Sequence, residues 1–187
     1  MEEPVSRSGD PTLRSIFSSP QIQDRIQALA DDLHRVYQSR DLLIVVIADG
    51  ARRFAETLVD RLEEHWMLPQ VLYVRATRSR GMELGEVQVE HVDPSEFEGR
   101  DVLIVDDIAD EGRTLDAVMQ LVQEGEPRSV EAAVLISKKQ RRRVDLPIRF
   151  VGFELERGWV VGFGMDLDGR YRELDYIAVI EGSETHV

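Results

Sequence analysis

Val102-Leu103-Ile104-Val105-Asp106-Asp107-Ile108-Ala109-Asp110-Glu111-Gly112-Arg113-Thr114 decides the fold. Four apolar residues in a row, Val102 to Val105, predict a strand buried on both faces, hence one inside a parallel sheet. Two carboxylates, Asp106 and Asp107, follow where that strand is expected to end. A short loop with one glycine comes next, and Thr114-Leu115-Asp116-Ala117-Val118-Met119-Gln120-Leu121-Val122 then has helical spacing. Strand, acidic turn, glycine and helix N-terminus together build a phosphate site. The free N–H groups of the first helical turn point at an anion, and the helix dipole favours its charge. Gly112 lets the backbone approach closely. Asp106 and Asp107 repel phosphate and suit sugar hydroxyls or a divalent cation. A ribose carrying a phosphate at one end satisfies both halves. The plainer alternative, two acids that end a strand and cap a turn, leaves the rest of the pattern without a reason.

Strand and helix patterns alternate on either side: 42–48, 51–66, 70–76, a possible strand at 86–90, 101–106, 113–124 and 130–137. Such a βα series predicts an α/β fold with a central parallel sheet flanked by helices on both faces. Before it, Ile22, Ile26, Leu29, Leu33 and Val36 form an apolar stripe at helical spacing. Ser19 is expected to cap that helix with Pro20 in its first position. In that frame the third position is Ile22, so a reciprocal capping box is not expected. Residues 1–10 are expected to be disordered, and 11–187 to form one domain. Strands near 149–154, 159–164 and 176–180 are expected to form a small C-terminal hood, mainly 150–187 with an N-terminal segment, and the sheet edge.

Composition narrows the function classes. At 187 residues the chain can bury one proper core. It has no cysteine, which excludes disulfides and thiol catalysis. Asp and Glu outnumber Lys and Arg by 36 to 23, a formal net charge of −13, which argues against nonspecific nucleic-acid binding. The acidic start Met1-Glu2-Glu3-Pro4 is unlike a secretory signal, and no apolar run approaches a membrane span. A cytoplasmic protein with no membrane or nucleic-acid partner is therefore expected. A homo-oligomer, dimer or tetramer, is a further expectation that composition does not supply.

The segment 102–114 resembles the phosphoribosyl-diphosphate (PRPP) motif of type I phosphoribosyltransferases: an apolar run, two acids, two apolar residues, an acid, then Glu111 where the family usually has threonine, then glycine, a basic residue and threonine. Phe150-Val151-Gly152-Phe153-Glu154, Trp159 to Asp166 and Tyr171-Arg172-Glu173-Leu174 are similar to the C-terminal hood of hypoxanthine-guanine phosphoribosyltransferases. The similarity covers roughly residues 20 to 182. It implies a type I phosphoribosyltransferase-like fold with a small hood, PRPP and a 6-oxopurine as substrates, and Mg²⁺ as cofactor.

The resemblance also implies residue roles. Asp106 and Asp107 would hold the ribose hydroxyls, and the backbone from Glu111 through Gly112 and Arg113 to Thr114 the 5′-phosphate. Asp110 would be the general base that takes the purine N7 proton. Ala48, Asp49 and Gly50 would bind pyrophosphate through backbone N–H groups, aided by Arg172. The family often has a cis peptide in this loop, which corresponds here to Ala48–Asp49. Lys138 would donate to the purine 6-oxo group, Trp159 would stack on the base, and Val160 would read its edge. Asp166 would lie by the base and the metal. Arg75 to Gly85 occupies the place of the family's mobile lid, with Arg78-Ser79 where Ser-Tyr is usual.

Taken as residues alone, several of these remain open. Trp159 begins an apolar run and, taken alone, reads as core more readily than as a platform for a base. Lys138 opens the run Lys138-Lys139-Gln140-Arg141-Arg142-Arg143, which reads as a solvated loop with one cation placed at a site. Asp166 lies in a segment that also reads as a turn, and 75–85 as a solvated basic turn. The functional expectation is a purine phosphoribosyltransferase that makes IMP or GMP and pyrophosphate. The rivals are a non-catalytic regulator that senses PRPP or nucleotides, favoured by Asp49 and Glu111, and a phosphoribosyltransferase for xanthine or another base.

Overall fold

Apolar residues on both faces of a strand place it inside a sheet, and the three strongest runs take three of the four inner positions. In the computed structural model, which describes residues 11–78 and 87–183, these are β2 (Leu42–Ala48), β5 (Asp101–Ala109) and β6 (Ser129–Ser137). The other strands are β1 (Leu13–Phe17), β3 (Gln70–Arg78), β4 (Val87–Val89), β7 (Ile148–Glu154), β8 (Val160–Val161) and β9 (Ile177–Ile180). The helices are α1 (Ser19–Tyr37), α2 (Arg52–Glu64) and α3 (Arg113–Gln123). A six-stranded sheet runs in the order β4-β3-β2-β5-β6-β7. Neighbours from β3 to β7 are parallel.

Alternate side chains of the central strands feed two cores. Ile44, Val46, Leu103, Val105, Ala133 and Leu135 pack with α1 and α2. Leu43, Val45, Val102, Ile104, Ala132 and Val134 pack with α3. This is the expected α/β arrangement, with period-2 strands buried on both faces between amphipathic helices.

Four local expectations change. First, β5 does not stop at Val105 but runs to Ala109, because β6 pairs with it as far as Ala109↔Ser137. Asp106 and Asp107 are therefore strand residues that face opposite sides, not a turn after the strand. Second, β4 is antiparallel to β3, since only 79–86 separate them and a parallel return needs a longer crossover. The same pairing, Arg78↔Val87, carries β3 through Arg75–Arg78, so these residues are strand rather than the start of a lid. The rest of the expected lid, like residues 1–10, lies outside the described residues. Third, α1 is capped one residue earlier, by Ser18, so its third position is Gln21. The Gln21 side chain accepts the Ser18 N–H at 2.9 Å, the reciprocal contact judged out of reach in the other frame. Fourth, of the strands expected to form hood and edge, β7 belongs to the large sheet as its edge although most of it lies in the range 150–187 given to the hood, and the small sheet is β1-β9-β8, antiparallel throughout. Phe17 at the end of β1 stacks on Phe153 of β7 with ring centroids 4.0 Å apart, which seats the small sheet over the C-terminal ends of the large one.

Candidate active site

The parallel strands all end on one side, and a cavity of about 460 Å³ opens there between those ends and the small sheet. This is where open α/β sheets bind ligands, because loops and helix N-termini converge there. The β2 end contributes Ile47, Ala48 and Gly50. The β5 end and the following loop contribute Asp106 to Gly112, then Thr114 and Leu115. Lys138 and Arg141 follow β6, and the hood adds Trp159, Val160, Met165 and Asp166.

Gly112 has φ +85° and is the N-cap of α3, so the first N–H groups of that helix face the loop. A Cβ on Gly112 would also lie 2.9 Å from Leu146 Cδ1. Glu111, the acid in the loop before α3, is flanked by Arg113 Nε and Arg143 Nε, each at 3.3 Å. Its charge is thereby balanced within the protein by two arginines.

Asp106 is buried and its Oδ1 accepts the Asp107 N–H at 3.0 Å. Asp107 Oδ1 accepts the Ile108 N–H at 2.8 Å. Burial pushes the Asp107 carboxyl above the usual carboxylate range, against the hydrogen bonds it accepts. Its carboxylate packs directly under Gly50, where an added Cβ would lie 2.0 Å from Oδ2. Gly50 in turn lies under Gly164 of the hood. The strand acid, the loop and the hood are thus stacked in contact.

Lys138 is 2 % exposed and donates to Asp110 Oδ2 at 3.1 Å. Arg141 Nε lies 3.1 Å from Asp110 Oδ1. A buried ammonium is tolerated only with such a partner. Trp159 is 58 % exposed and lines the cavity, so its ring is a free face rather than core. Asp166 Oδ1 pairs with Arg172 at 2.7 Å, and Oδ2 accepts the Gly169 N–H at 2.6 Å.

Three expected site residues are not among those lining the cavity. Asp49 is exposed, Arg113 is turned to Glu111, and Arg172 stands behind Asp166. The Ala48–Asp49 peptide is cis, the bond to which the family resemblance pointed. Arg141, Met165 and Ile108 line the cavity without having been singled out. The basic run contained Arg141, but no local pattern distinguishes it from its neighbours.

With this geometry, the similarity to known proteins has a physical content. The chain matches the phosphoribosyl transferase domain family over residues 13–168. It is 31% identical over 166 residues to the hypoxanthine-guanine phosphoribosyltransferase of Bacillus subtilis, covering 89% of this chain and 92% of that protein. It is also 31% identical over 166 residues to the bifunctional protein TilS/HprT of Listeria monocytogenes, covering 89% of this chain but only 26% of that longer protein. A hypoxanthine phosphoribosyltransferase of Staphylococcus aureus superposes with a TM-score of 0.83 at 28% identity, over 93% of this chain and 94% of that one. The match runs from β1 through the Asp166 turn and takes in every element that borders the cavity; the chain belongs to the phosphoribosyl transferase family.

Proposed function

We infer that this protein transfers the 5-phosphoribosyl group of PRPP to a ring nitrogen of a 6-oxopurine, hypoxanthine or guanine, giving IMP or GMP and pyrophosphate in purine salvage. One observation carries the reading: a carboxylate, a buried ammonium and an exposed indole share a single cavity with an α3 N-terminus and the Ala48–Gly50 loop. The fold over 11–187 is read as one domain serving this site.

In this reading Asp106 and Asp107 hold the ribose hydroxyls, and the backbone of 111–114 holds the 5′-phosphate. Trp159 stacks on the purine, which is worth about 1–3 kcal/mol for a base on an aromatic face. Val160 meets the base edge through its backbone. Lys138 has three donors, so it can keep Asp110 and still meet a 6-oxo group, whereas a 6-amino group offers it no comparable acceptor. The C1′–pyrophosphate bond breaks through an oxocarbenium-like transition state as the purine nitrogen bonds to C1′. Asp110 takes the N7 proton. The backbone of Ala48, Asp49 and Gly50, with Arg172, receives the departing pyrophosphate. A sensing regulator would need the same phosphate cradle but no proton acceptor beside the base.

The donors around the cavity are carboxylate oxygens, with no imidazole or thiol among the lining residues. That set suits Mg²⁺. Among the described residues there is no group of three or more His, Cys, Asp or Glu able to hold a metal. Asp166, through water, and the phosphates of PRPP would hold Mg²⁺, which neutralises pyrophosphate when bound. The test is product formation from PRPP and Mg²⁺ with hypoxanthine, guanine, xanthine and adenine compared, and a control in excess chelator. Turnover of hypoxanthine or guanine that fails with adenine and with chelator is expected. Efficient use of adenine, or full activity in chelator, would overturn the reading.

A further inference from the structure

Arg53 stands in the first turn of α2, three residues after Gly50. A helix N-terminus repels a cation, so its own helix does not account for an arginine there. Its contacts do. Nη1 donates to the Leu174 carbonyl at 2.7 Å and the Glu173 carbonyl at 3.2 Å, and lies 3.4 Å from the Arg172 carbonyl. The guanidinium carbon sits 4.6 Å from the centroid of the Phe163 ring. One side chain from the pyrophosphate loop's helix therefore grips both ends of the hood turn 163–174.

That turn is itself closely tied. Arg172 donates Nη1 to the Gly164 carbonyl at 2.6 Å and pairs through Nη2 with Asp166 at 2.7 Å. The Gly164 N–H returns to the Arg172 carbonyl at 3.0 Å. Gly164 has φ +99°, and a Cβ on it would lie 2.4 Å from the Gly50 carbonyl oxygen. The hood turn and the 48–50 loop are in direct contact there, and Arg53 is the bond that spans the contact.

We propose that Arg53 is a positioning residue for pyrophosphate: it sets the Arg172 guanidinium against the backbone donors of loop 48–50, so that the two halves of the subsite form one rigid cradle. This rests on the assignment of loop 48–50 and Arg172 to pyrophosphate. A purely structural role would loosen the hood as a whole. A positioning role acts through Arg172 and spares the Trp159–Val160 side of the base pocket, because β8 is held separately by Val160↔Val179 and Val161↔Ala178.

Titration calorimetry with inorganic pyrophosphate and Mg²⁺ separates the two, using Arg53→Ala, Arg172→Ala and the double variant, with IMP as the comparison ligand. Arg53→Ala is expected to weaken pyrophosphate about tenfold and IMP less than about threefold, and Arg53→Lys to recover part of the loss. In the Arg172→Ala background, Arg53→Ala is expected to cost less than about twofold more, the non-additivity of residues that act as a unit. Unchanged pyrophosphate affinity, equal losses for both ligands, or additive losses would overturn the proposal. If Arg53→Ala has no folded state, Arg53→Gln carries the same comparison. Pyrophosphate binding without turnover sinks the proposed activity but leaves this cycle readable. A wild-type protein that does not bind pyrophosphate removes the proposal along with the assignment it rests on.

Discussion

Two aspartates on β5, six positions apart and on the same face of the strand, have opposite fates. Asp101, at the start, is fully buried. It pairs with Arg128, accepts the Ser129 hydroxyl at 2.5 Å, and lies 3.4 Å from Arg40. Burial opposes its charge, but the hydrogen bonds from Arg128 and Ser129 prevail and hold its carboxyl below the usual range. Asp107, at the other end, is pushed up by burial despite the hydrogen bonds it accepts. The closed end of the sheet supplies its own counter-charges. The open end holds its acids in a cavity where ligand hydroxyls are expected. Asp101 lies at the end closed by ion pairs, and Asp107 at the end that opens to the cavity.

The comparison breaks most visibly at Asp110. Asp110→Asn should lower kcat about 10²–10⁴-fold while PRPP still binds, since the amide keeps the shape but cannot take a proton. Steady-state kinetics beside calorimetry checks this, and near-wild-type turnover removes Asp110 as the proton acceptor. Asp101→Ala should do the reverse. Losing the buried acceptor of Arg128 and of the Ser129 hydroxyl should cost about 1–3 kcal/mol in denaturant unfolding. Turnover per folded molecule should stay near wild type, and a stable but inactive variant would contradict the division between the two ends.

Gly50→Ala tests the contact between loop and strand. Its Cβ would meet Asp107 Oδ2 at 2.0 Å, so a cost of about 1–3 kcal/mol and a raised KM for PRPP are expected. Adding Asp107→Ser should return the stability and not the turnover. If Gly50→Ala is neutral in both measurements, the stack is looser than described.

The smallest effect is in acid. Asp101 has a folded pKa below its unfolded value of about 3.9. Its contribution is present above that pH and is lost as the pH falls through the folded value. Asp107 has the opposite sign: its contribution is full below the unfolded pKa and is lost as the pH rises through the raised folded value. Asp101→Asn should therefore flatten the acid limb of the stability curve. Asp107→Asn should remove a gain on acidification. Identical curves for the two variants would erase the distinction between the ends.

Much of this was legible in the chain. The apolar runs of β2, β5 and β6 lie inside single continuous stretches, and burial on both faces follows from their composition. The loop before α3 is likewise contiguous: Gly112 and the residues after it carry their own helix start. What escaped depends on partners far away in sequence. β1 is short and irregular, and exists because β9 pairs with it from the far end of the chain. β5 extends past its acids because β6 keeps pairing with it. The sequence left Trp159 open between core and platform, and packing of the small sheet leaves its ring at the cavity.

By itself, then, the sequence determined the alternation of strands and helices from β2 to β6, the glycine-led start of α3, and the acids, lysine and indole available to the cavity. These follow from local periodicity and from the chemistry of neighbours along the chain. Only the tertiary structure decided that Lys138 and Arg141 both face Asp110, that two arginines balance Glu111, and that Arg53 fastens the hood to the Ala48–Gly50 loop. Each of these contacts joins separate elements. Their distances are set by how sheet, helices and hood close on one another, a geometry that no single stretch of residues contains.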